Sequence, residues 1–470
     1  MKKLFLPALL AVILVSCSQL PTDQNSERPS YSYTFSLPAL HPDSLSISLV
    51  ASQAGRFVLP FHFFDNPVDS FSSEIVRDLQ VFDSDGAPAD TLLMLEKIGP
   101  IYNQVIGFSS NVKFPVTIRW KLNPEAFSDT AMNLLPPVAL STSRLSITGA
   151  SCFIIPFIEG SIAQMWRKPL DLEIDFRTGI QVYGIPEKSF RCANIYELLF
   201  LQIFSGDPVI AQGTGGGTDF TFLNLREESF EPGMMQAVSS NFSLILDEIA
   251  AVYGSFPENY TVAFQVIRGG LEATYGFSVL RPSLDTNFQF HEVLAHEALH
   301  NFIGIRCGEY DDPWWKEATT NYLGAVLATR LNLYNKESLK GRLTARFAYT
   351  DSSRFNLALS DQWLRENMFP QNVHPLVYNK GAQVVMLLDL RVRQASGNKY
   401  SINDVTAYLT INFTNSAFNR QDFLAAFRSF GNINVDDIFS DYIDIAGALI
   451  PDSLLALAFD SLDSLGAFGD

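Results

Sequence analysis

Three of the chain's six histidines fall in one ten-residue window, His291-Glu292-Val293-Leu294-Ala295-His296-Glu297-Ala298-Leu299-His300. It contains His-Glu-x-x-His at 296–300. On an α-helix, residues four apart lie about 40° from each other on one face, so His296 and His300 can grip one metal ion. Glu297 sits beside them, placed to take a proton from an attacking water. His291 and His296 are five apart, about 140° round a helix, and cannot chelate together. His291 is read as a capping, supporting or surface residue. The bland alternative for the motif is an exposed helix with no metal, so the context must decide.

A catalytic zinc takes three protein ligands and leaves a fourth position open. The candidate third ligand is Glu317, seventeen positions after His300, in Trp314-Trp315-Lys316-Glu317-Ala318. A carboxylate among aromatic residues is costly unless it meets a cation. The alternative is that Glu317 pairs with Lys316 or lies on a solvated face. Glu309, Asp311 and Asp312, in the intervening loop, are weaker candidates.

Positioning these groups requires helix, loop, helix, so that Glu317 swings back onto the histidine pair. Residues 286–455 carry helical apolar spacing, clear in 380–394 and 436–448. Residues 31–160 instead alternate with period two, as in Tyr31-Ser32-Tyr33-Thr34-Phe35-Ser36 and Val116-Thr117-Ile118-Arg119-Trp120. That texture predicts an antiparallel β-domain, a sandwich. Residues 161–280 mix strands with a helix near 233–252. Gly213 to Asp219 lacks the Gly-Lys-Ser/Thr ending of a phosphate loop and reads as a hairpin or loop.

The chain resembles the M61 glycyl aminopeptidase family of gluzincin metallopeptidases, and more distantly the M1 aminopeptidases. Four segments carry the likeness, in order: Tyr253-Gly254-Ser255-Phe256-Pro257 with Gly269-Gly270-Leu271-Glu272; His296 to His300; Trp315-Lys316-Glu317; and Tyr378-Asn379-Lys380-Gly381 running into Leu387-Leu388-Asp389-Leu390-Arg391-Val392-Arg393 and Ile402-Asn403-Asp404-Val405. Phe439 to Ile443 resembles the family's final helix. The likeness covers about 230–450 and is weak over 31–160. Ala318 stands where the family has Gly, Ala273 where it has His, and the family's Trp-Asn after His300 is missing. These departures bear on substrate preference more than on metal binding.

The resemblance implies an α+β fold: an N-terminal antiparallel β-sandwich (31–160), a thermolysin-like zinc peptidase domain (161–325), a helical C-terminal domain (326–455) and a tail (456–470). It implies one zinc held by His296, His300 and Glu317, with Glu297 as general base. Tyr378 matches the tyrosine that hydrogen-bonds the oxyanion. Glu272 matches the acid that captures the substrate's α-ammonium, and Gly269 and Gly270 suit close approach of strand backbone to substrate. Asn301, Asn321 and Lys380 are candidate supporting partners of the ligands. The expected activity is removal of small N-terminal residues, Gly or Ala, from peptides. An endopeptidase on the same site, or a non-catalytic peptide-binding envelope lipoprotein, are the rivals. About twenty residues follow Ile450, too few for the PDZ domain the family often carries, so none is expected.

Met1-Lys2-Lys3, an apolar run from Leu4 to Val15, and Leu14-Val15-Ser16-Cys17 read as a signal peptide ending in a lipobox. Cys17 is the expected lipidation site of a bacterial envelope lipoprotein, with residues 18–30 as tether and Ser18 favouring the outer membrane. The alternative is an ordinary secretory signal with an incidental cysteine. The full chain carries a net charge of −17, and losing Lys2 and Lys3 with the leader makes it −19. Nucleic acid is an unsuitable partner for such a surface. Cys152, Cys192 and Cys307 remain, an odd number, so at most one disulfide is expected.

Overall fold

A computed structural model describes residues 30–40, 45–60, 75–98, 101–123, 139–140, 144–157, 167–206, 209–225, 233–265, 270–280, 289–307, 312, 314–345, 357–366 and 373–469. Cys17, residues 18–29 of the tether, Gly269, Glu309 and Asp311 lie outside the described residues.

Alternation builds the first layer. Along Ser30–Leu37, Tyr31, Tyr33, Phe35 and Leu37 are buried while Ser30 and Ser32 face out. The same alternation buries Ile47 and Leu49, Ile118 and Trp120, and Leu172 and Ile174. These side chains line one face of a six-stranded sheet, in the order Ser189–Cys192, Asp171–Thr178, Ser30–Leu37, Ser46–Ala51, Val116–Leu122, Val76–Phe82. A four-stranded sheet adds Phe57, Val105, Ile106 and Ile155 to the same core. Rings crossing this core keep their polar tips satisfied. The Tyr33 hydroxyl donates to Ile154 O at 2.8 Å, and Trp120 Nε1 donates to Cys152 O at 2.9 Å.

One pairing in the large sheet is parallel: Ser30–Leu37 runs beside Asp171–Thr178, Tyr33 opposite Ile174. A parallel pair needs a long crossover, and this one carries the sheet past residue 160. The boundary expected there falls inside a hydrogen-bonded sheet. Local periodicity does not say which distant strand a strand will join.

The next layer is a five-stranded sheet, ordered Val209–Gly215, Thr218–Asn224, Tyr260–Gln265, Gly276–Leu280, Gly270–Ala273. Its first two strands form a hairpin through the glycine-rich segment, where Gly216 N donates to Asp247 Oδ1 at 2.7 Å. Helix α1 (Met234–Tyr253) lays Phe242, Ile245, Leu246 and Ile249 into the core that also holds Phe220, Phe222, Val262 and Phe277. Helices α2 (Gln289–His300) and α3 (Trp314–Arg330) continue it. The core then runs into α4 (Lys336–Thr344) and α5 (Gly381–Ser396) without a break. The division expected at 325 thus passes through continuous packing.

The segment Leu387 to Arg393 acts as a staple. Asp389, buried, accepts from the Tyr322 hydroxyl of α3 at 2.8 Å and from the Ile402 backbone N–H at 2.8 Å. The tail expected over 456–470 does not trail across its described residues, 456–469. Most of them belong to the helix Asp452–Ser464 and its C-terminal turn, burying Phe459, Leu462 and Phe468. The apolar residues at 455, 458, 459 and 462 are helically spaced and belong to the core. Among the described residues no helix is long and apolar enough to cross a membrane.

Candidate metal centre and active site

His296 and His300 fall on successive turns of α2, facing α3. The helices approach closely because Gly324 has no side chain: a Cβ there would lie 2.9 Å from His296 N. After His300 the chain passes through a π-helical segment, Asn301–Arg306, broken by non-helical Ile303 and by Gly304 at φ 117°. That left-handed conformation suits glycine, and a Cβ on Gly304 would also strike the Lys316 side chain. The bend turns the chain back, so α3 returns with Glu317 in its first turn.

The three expected ligands converge. His296 Nε2 and His300 Nε2 are 3.0 Å apart, and Glu317 Oε2 lies 3.6 Å from the first and 3.3 Å from the second. Zinc–ligand bonds of about 2.0–2.1 Å in a tetrahedron give donor separations of about 3.3–3.4 Å. The observed triangle brackets that value. His300 Nδ1 lies 3.1 Å from Ile303 O, an acceptor only, so Nδ1 carries the hydrogen and a neutral ring turns its Nε2 lone pair toward Glu317 and His296. Two nitrogens and a carboxylate facing one another, all buried, form a donor set that fits a divalent cation.

The electrostatics agree. Burial by itself would lower His300, but the Glu317 and Glu272 carboxylates override it and push the imidazole up to about 9. Burial opposes ionisation of Glu317 too, yet His300 and His296 hold it well below the usual carboxylate range. Burial lowers His296. The cluster therefore keeps a positive charge at its centre, a proton when no metal is there.

Glu297 lies against this triangle, Oε1 3.9 Å from His296 Nε2. Its Oε2 is buried with no hydrogen-bond partner. Burial, with Glu272 and Glu317 nearby, pushes its carboxyl up to about 8. A buried carboxyl with an unpartnered oxygen and a pKa raised toward neutrality is suited to exchanging a proton with a group placed beside it.

Tyr378 sits in the π-helical turn Pro375–Lys380, its ring stacked on that of His296 with centroids 6.1 Å apart. Burial first, then the Glu317 carboxylate, hold its phenol well above the ordinary value, so it is a donor at neutral pH. Asn321 of α3 donates from Nδ2 to Tyr378 O at 2.7 Å, and its Oδ1 accepts from Arg342 of α4. Arg342 also pairs with Glu292, one turn before His296. This chain ties the tyrosine turn to the histidine helix. Of the three candidate supports, Asn321 is the one that reaches Tyr378. Asn301 instead donates to Thr274 O at 3.1 Å, and Lys380 is buried.

Glu272 projects from the edge strand Gly270–Ala273 into the same pocket, within 4.8 Å of Glu297 and His300 by their ligand atoms. Its carboxylate is not open: Oε1 pairs with Lys316 Nζ. His291 stays apart, its Nε2 3.0 Å from Asn241 Nδ2. Asp312 is buried before α3 but is not among the gathered donors. Cys152, Cys192 and Cys307 are buried free thiols.

Two partners were not foreseen from the sequence. Arg167 donates to Ile305 O at 3.0 Å and to Gly304 O, clamping the bend whose Ile303 carbonyl orients His300. Its guanidinium also stacks 4.0 Å from the Tyr196 ring centroid. The other is Lys316. Arg167 is 129 positions from His296 and carried no local signal; Lys316 stood in the motif and read as a candidate partner of Glu317, not of Glu272.

No family model matches the sequence, and no curated protein matches it. Solved structures do. An aminopeptidase N family protein from Idiomarina loihiensis superposes with TM-score 0.67 at 16% identity, covering 89% of this chain and 77% of that one. This chain has the M1 metallopeptidase fold. An M1 zinc metallopeptidase from Deinococcus radiodurans gives TM-score 0.56 at 13% identity over 91% of this chain and 96% of that one. Leukotriene A4 hydrolase from Saccharomyces cerevisiae gives 0.51 at 12% identity, over 89% and 69%. A mutant of the Deinococcus protein has been solved with a Tyr-Ser-Ala substrate. These likenesses support the α+β architecture expected from the sequence and place it beside M1 proteins; the narrower M61 likeness rests on the sequence motifs.

Proposed function

We propose that this chain is a zinc-dependent aminopeptidase of the M61 type that removes small N-terminal residues, Gly or Ala, from peptides. The observation that carries this reading is the triangle of His296, His300 and Glu317 beside the unpartnered carboxylate oxygen of Glu297. Bound there, zinc supplies Lewis acidity, polarising a carbonyl and making water easier to deprotonate. Glu297 takes the proton from the attacking water and passes it to the leaving amine. Tyr378 donates a hydrogen bond to the developing oxyanion. Glu272 holds the substrate's α-ammonium. The tripeptide bound by the Deinococcus mutant agrees with a peptide substrate for this fold. The Gly/Ala preference rests on the family resemblance.

The same reading places the protein in a bacterial envelope, held to the outer membrane by lipid on Cys17. Its support is the basic start, the short apolar run and the small residue before Cys17.

The deciding experiment measures zinc content and turnover of glycyl- and alanyl-anilides on the purified protein beside Glu297→Gln. One zinc per chain in both, with turnover reduced about 10²–10⁴-fold in the variant, is the expected result. Equal turnover in the variant would sink the mechanism, and no zinc in either would remove its basis.

A further inference from the structure

Glu272 does not wait for a substrate ammonium; it already holds one. Lys316, the residue before Glu317, pairs its Nζ with Glu272 Oε1 and stands 3.7 Å from Glu317 Oε1. The pair is shielded, the lysine side chain 22% and the glutamate side chain 10% exposed. The fold makes room for it. Gly304 leaves the space that the lysine stem fills, since a Cβ there would lie 2.6 Å from Lys316 Cε. The Phe200 ring offers its face to the ammonium, 5.7 Å from the centroid. A carboxylate so paired presents little net charge to a second cation, and shielding strengthens its hold on the first.

We propose that Lys316 tunes substrate selection: by occupying Glu272 it makes a free α-amine compete for the carboxylate, so the site prefers a free N-terminus over a blocked one only weakly. This deepens the proposed function and rests on its placing of the peptide N-terminus at Glu272. An incoming α-ammonium must share or displace the lysine, whereas an acylated N-terminus meets no such competitor.

The test reads binding, so it does not depend on turnover. The full chain in detergent, zinc-loaded and carrying Glu297→Gln, is titrated calorimetrically with Ala-Ala-Ala-amide and with its N-acetyl form. The two Kd values should differ by less than about tenfold, the effect of one hydrogen bond to a charged group. Adding Lys316→Met should tighten the free tripeptide by about tenfold or more and leave the acetyl form unchanged. Lys316→Arg, which keeps a cation on Glu272, should resemble the starting protein. Should Lys316→Met fail to fold, judged by zinc content and melting, Lys316→Gln in its place should tighten the free tripeptide in the same way. A starting preference for the free amine of a hundredfold, or a weaker or unchanged free-amine Kd when Lys316 is replaced by Met or Gln, would each overturn the proposal. So would failure of both peptides to bind. Absence of hydrolysis by the chain with Glu297 intact would count against the aminopeptidase reading alone.

Discussion

At the scale of single residues, the site concentrates opposed charges in a buried space. Tyr378 is fixed by two independent holds, its carbonyl by Asn321 and its ring by His296. Removing only its hydroxyl should therefore leave the backbone and the ring in place. Tyr378→Phe is expected to lower kcat by roughly 10²–10³ with zinc content unchanged, the scale of one lost oxyanion donor; steady-state kinetics on an anilide checks it. His300 gives a pH signature. Its pKa of about 9 means that at neutral pH it is protonated in the metal-free protein. A metal must expel that proton, so zinc affinity falls as pH drops below about 9, by about tenfold per unit. Zinc competition titrations between pH 6 and 9 should show this slope, and a flat profile would contradict the charge assignment. Both ligand histidines were readable from spacing alone, since a helix's geometry maps four residues onto one face. The pairing of Lys316 with Glu272 was not, because 44 residues separate them and the encounter depends on how a strand edge meets a helix end.

At the scale of elements, the bend between α2 and α3 decides whether Glu317 reaches the histidines. Gly304 makes the bend, and Arg167 holds it through two carbonyls. Arg167→Met should free the bend and loosen the Ile303 carbonyl that orients His300. The expected loss is about 10–100-fold in zinc affinity, as for other partners of metal-binding histidines, with Arg167→Lys recovering part of it. Unchanged affinity would mean that the bend holds itself. The helices were legible from their apolar spacing; the π-helical segments at Asn301–Arg306 and Pro375–Lys380 were not. Such segments answer to local packing and functional position more than to residue type.

At the scale of the whole molecule, the metal site rests on one core that spans the five-stranded sheet and the C-terminal helices. The last helix and its C-terminal turn are part of it: Leu455, Ala458, Phe459, Leu462 and Phe468 are buried there. A large apolar side chain lost from a core costs roughly 2–5 kcal/mol, against a typical total stability of about 5–15 kcal/mol. A chain ending at Ile450 should not hold a cooperative fold, and circular dichroism melting would show a broad transition or none. A sharp melt at the full-length temperature would refute this. Segments outside the helices α2 and α3 also reach the site, through Arg167 and through the Thr274 carbonyl in the turn after Gly270–Ala273, which accepts from Asn301.

The sequence alone determined the local matters: which residues could bind a metal, which helix carries them, and which strands bury alternate residues. Spacing and side-chain chemistry act over a few residues and are written into the chain directly. Only the tertiary structure decided the distant ones: that the strand at 171–178 joins the first strand in parallel, that Arg167 clamps the bend after His300, and that Lys316 occupies Glu272. Each depends on which surfaces of separate elements come together, and that results from burying the whole core at once.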